Sequence, residues 1–224
     1  MRLLSVPLAR AFAYLPLEEM TLGTGIYLPR LAASLVEKCQ FLKSPRTPEE
    51  FNLADGVTFE SGIFNGLVIK SLTVFPLVMH LDAADSTDKA QDTLLRILQW
   101  AKEEFGLRYS PEMITRWAFV SDITFQAEFP LLERLNPTLN SISMRVSEAI
   151  LENLKENVEY RPAKFWLAHD PGKRSAKIAP FSIEHLALSQ DGENKFYSEA
   201  PIPTQNHLSL LAELENALKD KNEG

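Results

Sequence analysis

The sequence predicts an α+β protein with a mostly antiparallel sheet and three long helices. Strand-like runs follow one another directly, as at residues 164–168 and 179–188, and such runs are typical of hairpins rather than of a parallel sheet in which strands and helices alternate. Apolar residues recur at helical spacing over residues 86–105, 138–157 and 204–220. The chain has 224 residues, 45% of them hydrophobic, which is enough to enclose a substantial core.

Residues 62–106 form the stretch around which the fold is expected to be organised. Their β-branched and aromatic residues predict two adjacent strands, at residues 63–70 and 72–79. A helix then begins near Asp85 and ends before Gly106, which fits a helix C-cap. The expected core stripe of this helix consists of Ala90, Leu94, Ile97, Ala101 and Phe105.

The first 28 residues are apolar, but they show neither a helical nor a strand period, and Pro7 and Pro16 interrupt them. Their apolar content is too high for a free tail. We therefore expect an extended N-terminal arm at residues 1–28, which docks on its own domain or on a neighbouring subunit. A single α+β domain is expected at residues 29–224.

The second half of the chain predicts another buried helix and three short strands. Strands are expected at residues 164–168, 179–188 and 195–198, and a hairpin turn at residues 190–193 joins the last two. The helix at residues 138–157 is expected to pack one apolar stripe against the core. That stripe consists of Leu139, Ile142, Val146, Ala149, Ile150 and Leu154.

An internal duplication is a hypothesis that two parts of the sequence suggest. Residues 62–106 and residues 178–220 both read as two strands followed by a helix. Thr87 precedes Leu94 by seven residues, and Thr204 precedes Leu211 by the same interval. The two parts would then be related β-β-α units.

Charge and cysteine content narrow the class of protein. The chain has 23 basic and 30 acidic residues, a net charge of −7, which disfavours a surface devoted to nucleic acid or to an anionic membrane. Cys39 is the sole cysteine and favours a reducing compartment, so we expect the cytoplasm. Arg10 cuts short any signal-peptide core. Pro76 and the β-branched residues of 63–81 favour strands there, and we expect no membrane association.

Three residues are candidates for a metal site. His80, Asp82 and Asp85 lie where a predicted strand leads into a predicted helix, and imidazole and carboxylate groups are common metal ligands. Their spacing matches no defined metal signature. Helix capping by Asp85 explains the acidic entrance without a ligand. A metal-dependent enzyme at His80 and Asp82 is therefore an alternative hypothesis and not the leading one.

A basic segment at residues 161–177 is a candidate binding site for phosphate or nucleic acid. It has five basic residues against Asp170 alone, and aromatic rings are interleaved with them, as in proteins that bind single strands. An ordinary hairpin turn with solvated charges explains the same pattern. The pattern is not a P-loop, because the upstream glycine is missing. The candidate binding residues are Arg161, Lys164, Trp166, Lys173, Arg174 and Lys177.

The sequence has no recognised motif that would place a catalytic nucleophile next to its base. Cys39 lies on an apolar helix face, where a buried, unreactive thiol is the usual case. Ser121 and Asp122 could join one of three histidines, at positions 169, 185 and 207, but no nucleophile elbow accompanies them. The chain has nine glycines and no glycine-rich loop, so we expect no cofactor.

The function that the sequence favours is that of a non-enzymatic structural or adaptor subunit. It would act through protein–protein contacts in an oligomer or larger assembly, with residues 1–28 as the contact to a partner or to a second copy. The alternatives are a nucleic-acid-binding accessory protein that uses the basic segment from Arg161 to Lys177, and the metal-dependent enzyme at His80 and Asp82.

Overall fold

The computed structural model describes residues 1–21, 27–170, 172, 178–186 and 194–220, and it has the predicted α+β fold. One antiparallel sheet of eight strands has the spatial order β2-β3-β4-β1-β5-β8-β7-β6. The strands are β1 (Arg2–Tyr14), β2 (Val57–Phe64), β3 (Leu67–Val74), β4 (Val78–Ala83), β5 (Arg116–Gln126), β6 (Lys164–Leu167), β7 (Phe181–His185) and β8 (Lys195–Ala200).

The three long helices lie close to their predicted positions. The helices are α1 (Leu17–Thr21), α2 (Leu28–Cys39), α3 (Thr87–Phe105), α4 (Leu131–Leu135), α5 (Pro137–Leu154) and α6 (Thr204–Asp220). Short 3-10 turns lie at Pro48–Phe51 and Pro111–Met113. Within the described residues, no helix has both the length and the apolar character needed to cross a membrane.

The chain divides into two compact units. The N-terminal unit consists of Val6–Ser121 and Ile202–Thr204, and the C-terminal unit consists of Met1–Ser5, Asp122–Pro201 and Gln205–Gly224. Each unit therefore takes a short segment from the opposite end of the chain.

The core of the N-terminal unit includes the predicted stripe of α3. Ala90, Leu94, Ile97 and Ala101 are buried there, and Phe105 is half-buried. The Ser86 hydroxyl oxygen accepts a hydrogen bond from the Lys89 N–H at 3.3 Å and so caps the helix. The other end stops at Gly106, whose φ of +67° is the left-handed conformation that a C-cap needs.

The first 28 residues are mostly a strand and a short helix. Residues 2–14 are β1, and Ala9–Tyr14 pair with the β4 residues 78–83. Ala9, Ala11 and Ala13 are fully buried, whereas the large side chains between them lie on the opposite face. This segment is extended, as expected, and its backbone is paired within its own chain. Residues 22–26 are outside the described residues.

The predicted strand at residues 63–70 is wrong, because the chain reverses in its middle. Asn65 and Gly66 have φ values of +48° and +83°, and Phe64 pairs with Leu67 across the turn. An Asn-Gly pair adopts positive φ at low cost, which makes it the preferred two-residue hairpin turn. The predicted strand at residues 72–79 is also interrupted, at residues 75–77, between β3 and β4.

Two threonines begin two helices and cap each other. The Thr87 N–H donates to the Thr204 hydroxyl oxygen at 3.0 Å, and the Thr204 N–H donates to the Thr87 hydroxyl oxygen at 2.8 Å. The Ser121 hydroxyl also donates to the Thr204 oxygen, at 3.2 Å. All three side chains are buried, so this pairing satisfies backbone donors that water cannot reach.

The C-terminal unit has its own core, built from β5, β7, β8, α4 and α6. Its largest fully buried side chains include Phe125, Phe196, Ile183 and Leu211. The rings of Phe125 and Phe196 stack with centroids 5.5 Å apart. The predicted strand at residues 179–188 is observed as Phe181–His185, and the predicted turn at residues 190–193 lies outside the described residues.

Candidate protein-interaction surface

His80 and Asp82, the metal candidates on β4, are both engaged by neighbouring side chains. The Arg10 guanidinium donates to both carboxylate oxygens of Asp82, at 2.5 and 2.6 Å, and the Ser71 hydroxyl donates to one of them at 3.2 Å. Asp82 is only 6% exposed. The His80 ring lies between Phe12 and Phe75, with centroid distances of 5.3 and 6.1 Å. Burial lowers the pKa of His80, while the Asp82 carboxylate opposes that shift.

Asp85, the third metal candidate, is at the start of α3 and pairs with Lys89 at 2.8 Å. Among the described residues, no three His, Cys, Asp or Glu side chains form a group that could hold a metal ion. The contacts of Asp82 and Asp85 are those of an ion pair and of a helix start, which are structural roles.

The basic segment is described only in part. Lys173, Arg174 and Lys177 lie outside the described residues. Lys164 pairs with Glu184 across β6 and β7 at 2.7 Å, so its charge is balanced within the sheet. Arg161 is exposed, and Trp166 is 59% exposed on the same face of β6 as Lys164.

Three further nucleophile and base candidates, Cys39, His207 and His185, are buried or half-buried. Cys39 is fully buried, and burial raises the pKa of its thiol to about 12. His207 is fully buried, and its Nε2 lies 2.8 Å from the hydroxyl of Ser198. That hydroxyl donates to the Ser182 carbonyl at 2.7 Å, so it accepts from an Nε2–H of the ring. His185 lies 3.5 Å from Glu133, and burial lowers the pKa of its imidazole.

An apolar cavity of about 80 Å³ lies in the core of the N-terminal unit. Side chains of α1, α2, α3 and the sheet line it, among them Met20, Leu35, Phe59 and Trp100. No charged side chain is among the described residues that line it. It lacks the convergent polar groups that orient a ligand and is best described as a void of core packing.

The α5 helix is exposed to an unusual degree for its composition. It has 18 residues, and none of them is buried. We define the α5 apolar face as the side that was predicted to pack against the core, and that prediction is wrong. The face consists of Leu139, Ile142, Val146, Ala149, Ile150 and Leu154, and its exposed fractions reach 51% at Ile142 and 63% at Leu154.

Polar residues occupy the side of α5 that is less exposed. Asn140, Ser143 and Ser147 are half-buried, whereas most of the apolar face is exposed. The Ser147 hydroxyl oxygen accepts the N–H of Tyr160 at 2.8 Å, which ties α5 to the following segment. Ile150 of the apolar face is half-buried as well, so the side of α5 that lies toward its own chain is mostly polar and most of the apolar face is left uncovered.

No protein-family model matches the chain, and no curated protein matches its sequence. The arrangement of its own residues is thus the basis for assigning a site.

Further apolar side chains of the C-terminal unit are exposed after α5. Val158 is 38% exposed, Tyr160 46% and Leu167 55%, besides Trp166. Trp166 and Leu167 belong to β6, which is an edge strand of the sheet. Scattered exposed apolar residues are normal, but a concentration of them marks an interaction surface. Helical periodicity identified the α5 apolar face in the sequence, yet periodicity does not tell whether the chain itself or another molecule covers such a face.

Proposed function

We propose that this protein is a non-enzymatic subunit that works through protein–protein contacts in an oligomer or larger assembly. The contact surface that we assign is the α5 apolar face. The single observation that carries the proposal is that an 18-residue helix has six apolar residues on one side and buries none of its residues in its own chain.

The energetics of helix formation support this assignment. Isolated helices of this length are marginal in water, and most helices in proteins gain their stability by packing an amphipathic face. Covering half-exposed side chains such as Ile142, Val146 and Leu154 would contribute roughly 1 kcal/mol each. A partner that covers the face would therefore supply stabilisation that the chain does not provide to α5.

The charges of α5 favour a protein partner over a membrane surface. Helices that lie on anionic membranes are rich in Lys and Arg on their polar side. In α5, Arg145 is the sole basic residue, and Glu148 and Glu152 outweigh it. Residues 9–14 of the contact expected at residues 1–28 are hydrogen-bonded to β4 within the chain, so the α5 apolar face is the surface that we favour.

We place this activity in the cytoplasm. The sole cysteine, Cys39, is fully buried and has no disulfide partner in the chain, which suits a reducing compartment.

The native mass of the protein in extracts of its source cells tests the proposal. We expect the tagged full-length chain to elute as part of an assembly, and Val146→Glu to elute at the mass of the chain alone. Ser141→Glu is the matched control, because Ser141 is exposed on α5 but lies away from the apolar face. Elution of the wild-type chain as a monomer, or of Val146→Glu at the wild-type mass, would contradict the proposal.

A further inference from the structure

We infer that the α5 apolar face is covered by α5 of a second copy of this chain. The two helices pack antiparallel about a twofold axis, and Arg145 of each copy pairs with Glu152 of the other. This inference rests on the proposed function and specifies the partner.

Helix geometry places the two charges on the same edge of the apolar face. Arg145 and Glu152 are seven residues apart, and seven residues complete almost two turns, so the two side chains are offset by only about 20° around the axis. Both are exposed. A shallow depression of the α5 surface is lined by Arg145 together with Ile142, Val146, Ala149, Ile150 and Leu154, so the charged edge adjoins the apolar face directly.

An antiparallel pair brings this edge of one helix against the same edge of the other. The register that sets Val146 opposite Ile150 also sets Ile142 opposite Leu154. Within one residue, the same register sets Arg145 opposite Glu152, twice in each dimer. A parallel pair would instead set this edge of each helix against the opposite edge of its partner, so Arg145 of one copy and Glu152 of the other would not meet. The distribution of charge therefore selects the antiparallel arrangement.

The residues near the twofold axis fit the same arrangement. Ala149 is the smallest side chain of the apolar face and lies near the centre of the register, where the helices approach most closely. Glu148 is at the same level, but its position around the helix is roughly 160° from that of Val146, away from the contact. The register also sets Asn153 opposite Ser143, so polar residues meet polar residues.

Sedimentation equilibrium of the purified full-length chain tests the inference. We expect a wild-type dimer, and a roughly tenfold weaker dimer for either Arg145→Glu or Glu152→Arg, because each change replaces two attractive contacts with two repulsive ones. The double variant Arg145→Glu, Glu152→Arg should regain the wild-type dissociation constant. Glu148→Arg is the control and should stay within about twofold of the wild-type value.

The outcomes separate this inference from the proposed function. A purified chain that stays monomeric up to its solubility limit would overturn the dimer. If Val146→Glu still altered the native assembly, the proposed function would stand with a different partner. A dimer that Val146→Glu does not weaken, or a double variant no tighter than the single variants, would also overturn the inference. Val146 is not buried, so circular dichroism should show that Val146→Glu remains folded.

Discussion

Asp82 and Asp92 both pair with an arginine, in environments of opposite kinds. Asp82 is buried, and its two carboxylate oxygens accept hydrogen bonds from the Arg10 guanidinium. Asp92 and Arg96, by contrast, are each 59% exposed on α3. Replacing Asp82 by Asn would remove the buried carboxylate charge that the half-buried Arg10 guanidinium pairs with. We expect Asp82→Asn to lower the free energy of unfolding by about 3 kcal/mol.

Asp92→Asn is the matched control for this prediction, and it should cost less than about 1 kcal/mol because the pair is solvated. Urea denaturation of both variants measures the difference. Equal effects of the two substitutions would show that the Arg10–Asp82 pair is no more stabilising than a surface pair.

His80 and His185 make the stability depend on pH. Burial lowers the pKa of each imidazole below its ordinary value of 6.5 in the folded chain, with Asp82 and Glu133 opposing the shift. Below pH 6.5 the unfolded chain therefore binds protons that the folded chain does not, and the free energy of unfolding falls. It stops falling, as far as these groups are concerned, once the pH is below the pKa values of the folded state.

Urea midpoints at pH 7.5 and 5.0 measure this effect. The decrease between the two pH values should be smaller in His80→Asn and in His185→Asn than in the wild-type chain, because each variant lacks one of the linked protons. A decrease of the same size in all three proteins would rule out the two histidines as its source.

Single residues were predictable where their chemistry and their pattern agreed. The expected burial of Cys39 follows from its helix face, and its full burial confirms it. The partners of His80 were not predictable. Phe12 and Phe75 are remote from it in sequence, and strand pairing brings them together.

Among the elements, the mutual caps of α3 and α6 tie two helix starts together. Thr87→Val and Thr204→Val keep the shape of the side chain but each leaves one buried backbone N–H without its acceptor. We expect each substitution to lower the free energy of unfolding by about 1–3 kcal/mol. Thermal or urea denaturation measures the loss.

Thr138→Val serves as the reference for these caps, since Thr138 is exposed in the first turn of α5, and it should change stability by less than about 0.5 kcal/mol. A small effect of Thr87→Val, similar to that of Thr138→Val, would mean that the buried N–H of Thr204 finds another acceptor.

Helices were easier to predict than strands, and the reason is physical. The α3 stripe repeats five times at helical spacing, so a single irregular residue does not obscure it. Strand β1 has no visible alternation of apolar and polar residues in the sequence. The reason is that small alanines face the core and larger residues such as Phe12 and Tyr14 face outward. The Asn65-Gly66 turn had a clear signal, which the surrounding β-branched residues outweighed in our prediction.

One buried leucine of α3 and one exposed valine of α5 test whether α5 packs within its own chain. Leu94 of α3 is fully buried, so Leu94→Ala should cost about 2–5 kcal/mol of unfolding free energy. Val146 of α5 is 37% exposed, so Val146→Ala should cost less than about 1 kcal/mol at a concentration where the chain is monomeric. Urea denaturation measures both. A large cost of Val146→Ala in the monomer would show that the face packs within its own chain.

The elements from β1 to α3 and those from β5 to α6 follow the same order, which is the order that the hypothesis of an internal duplication expects. Each set has a first strand, a helical connection, three consecutive strands and a closing helix, and in the sheet the first strand lies beside the fourth. Thr87 and Thr204 begin the closing helices, and Leu94 and Leu211, seven residues later, are both fully buried. The duplication stays a prediction, as does the division into an arm and a single domain.

The sequence predicted the apolar stripe of α5 but not that this stripe would be exposed. Periodicity placed six of the eight apolar residues of α5 on one side, and the helix forms as predicted. Whether such a side is buried depends on what lies against it, and that is a property of the tertiary structure. Here Ser143 and Ser147 are half-buried while most of the apolar face is exposed, which no local rule anticipates.

The exchange of short end segments between the two units has a consequence for synthesis on the ribosome. Thr204 completes the N-terminal unit by capping a helix that begins 117 residues earlier. That cap can form only after residue 204 has been synthesised, and residues 1–5 must wait for strand partners of the C-terminal unit. The N-terminal unit should therefore complete its folding late and slowly, and dividing the chain after residue 121 should yield two fragments that fold only together.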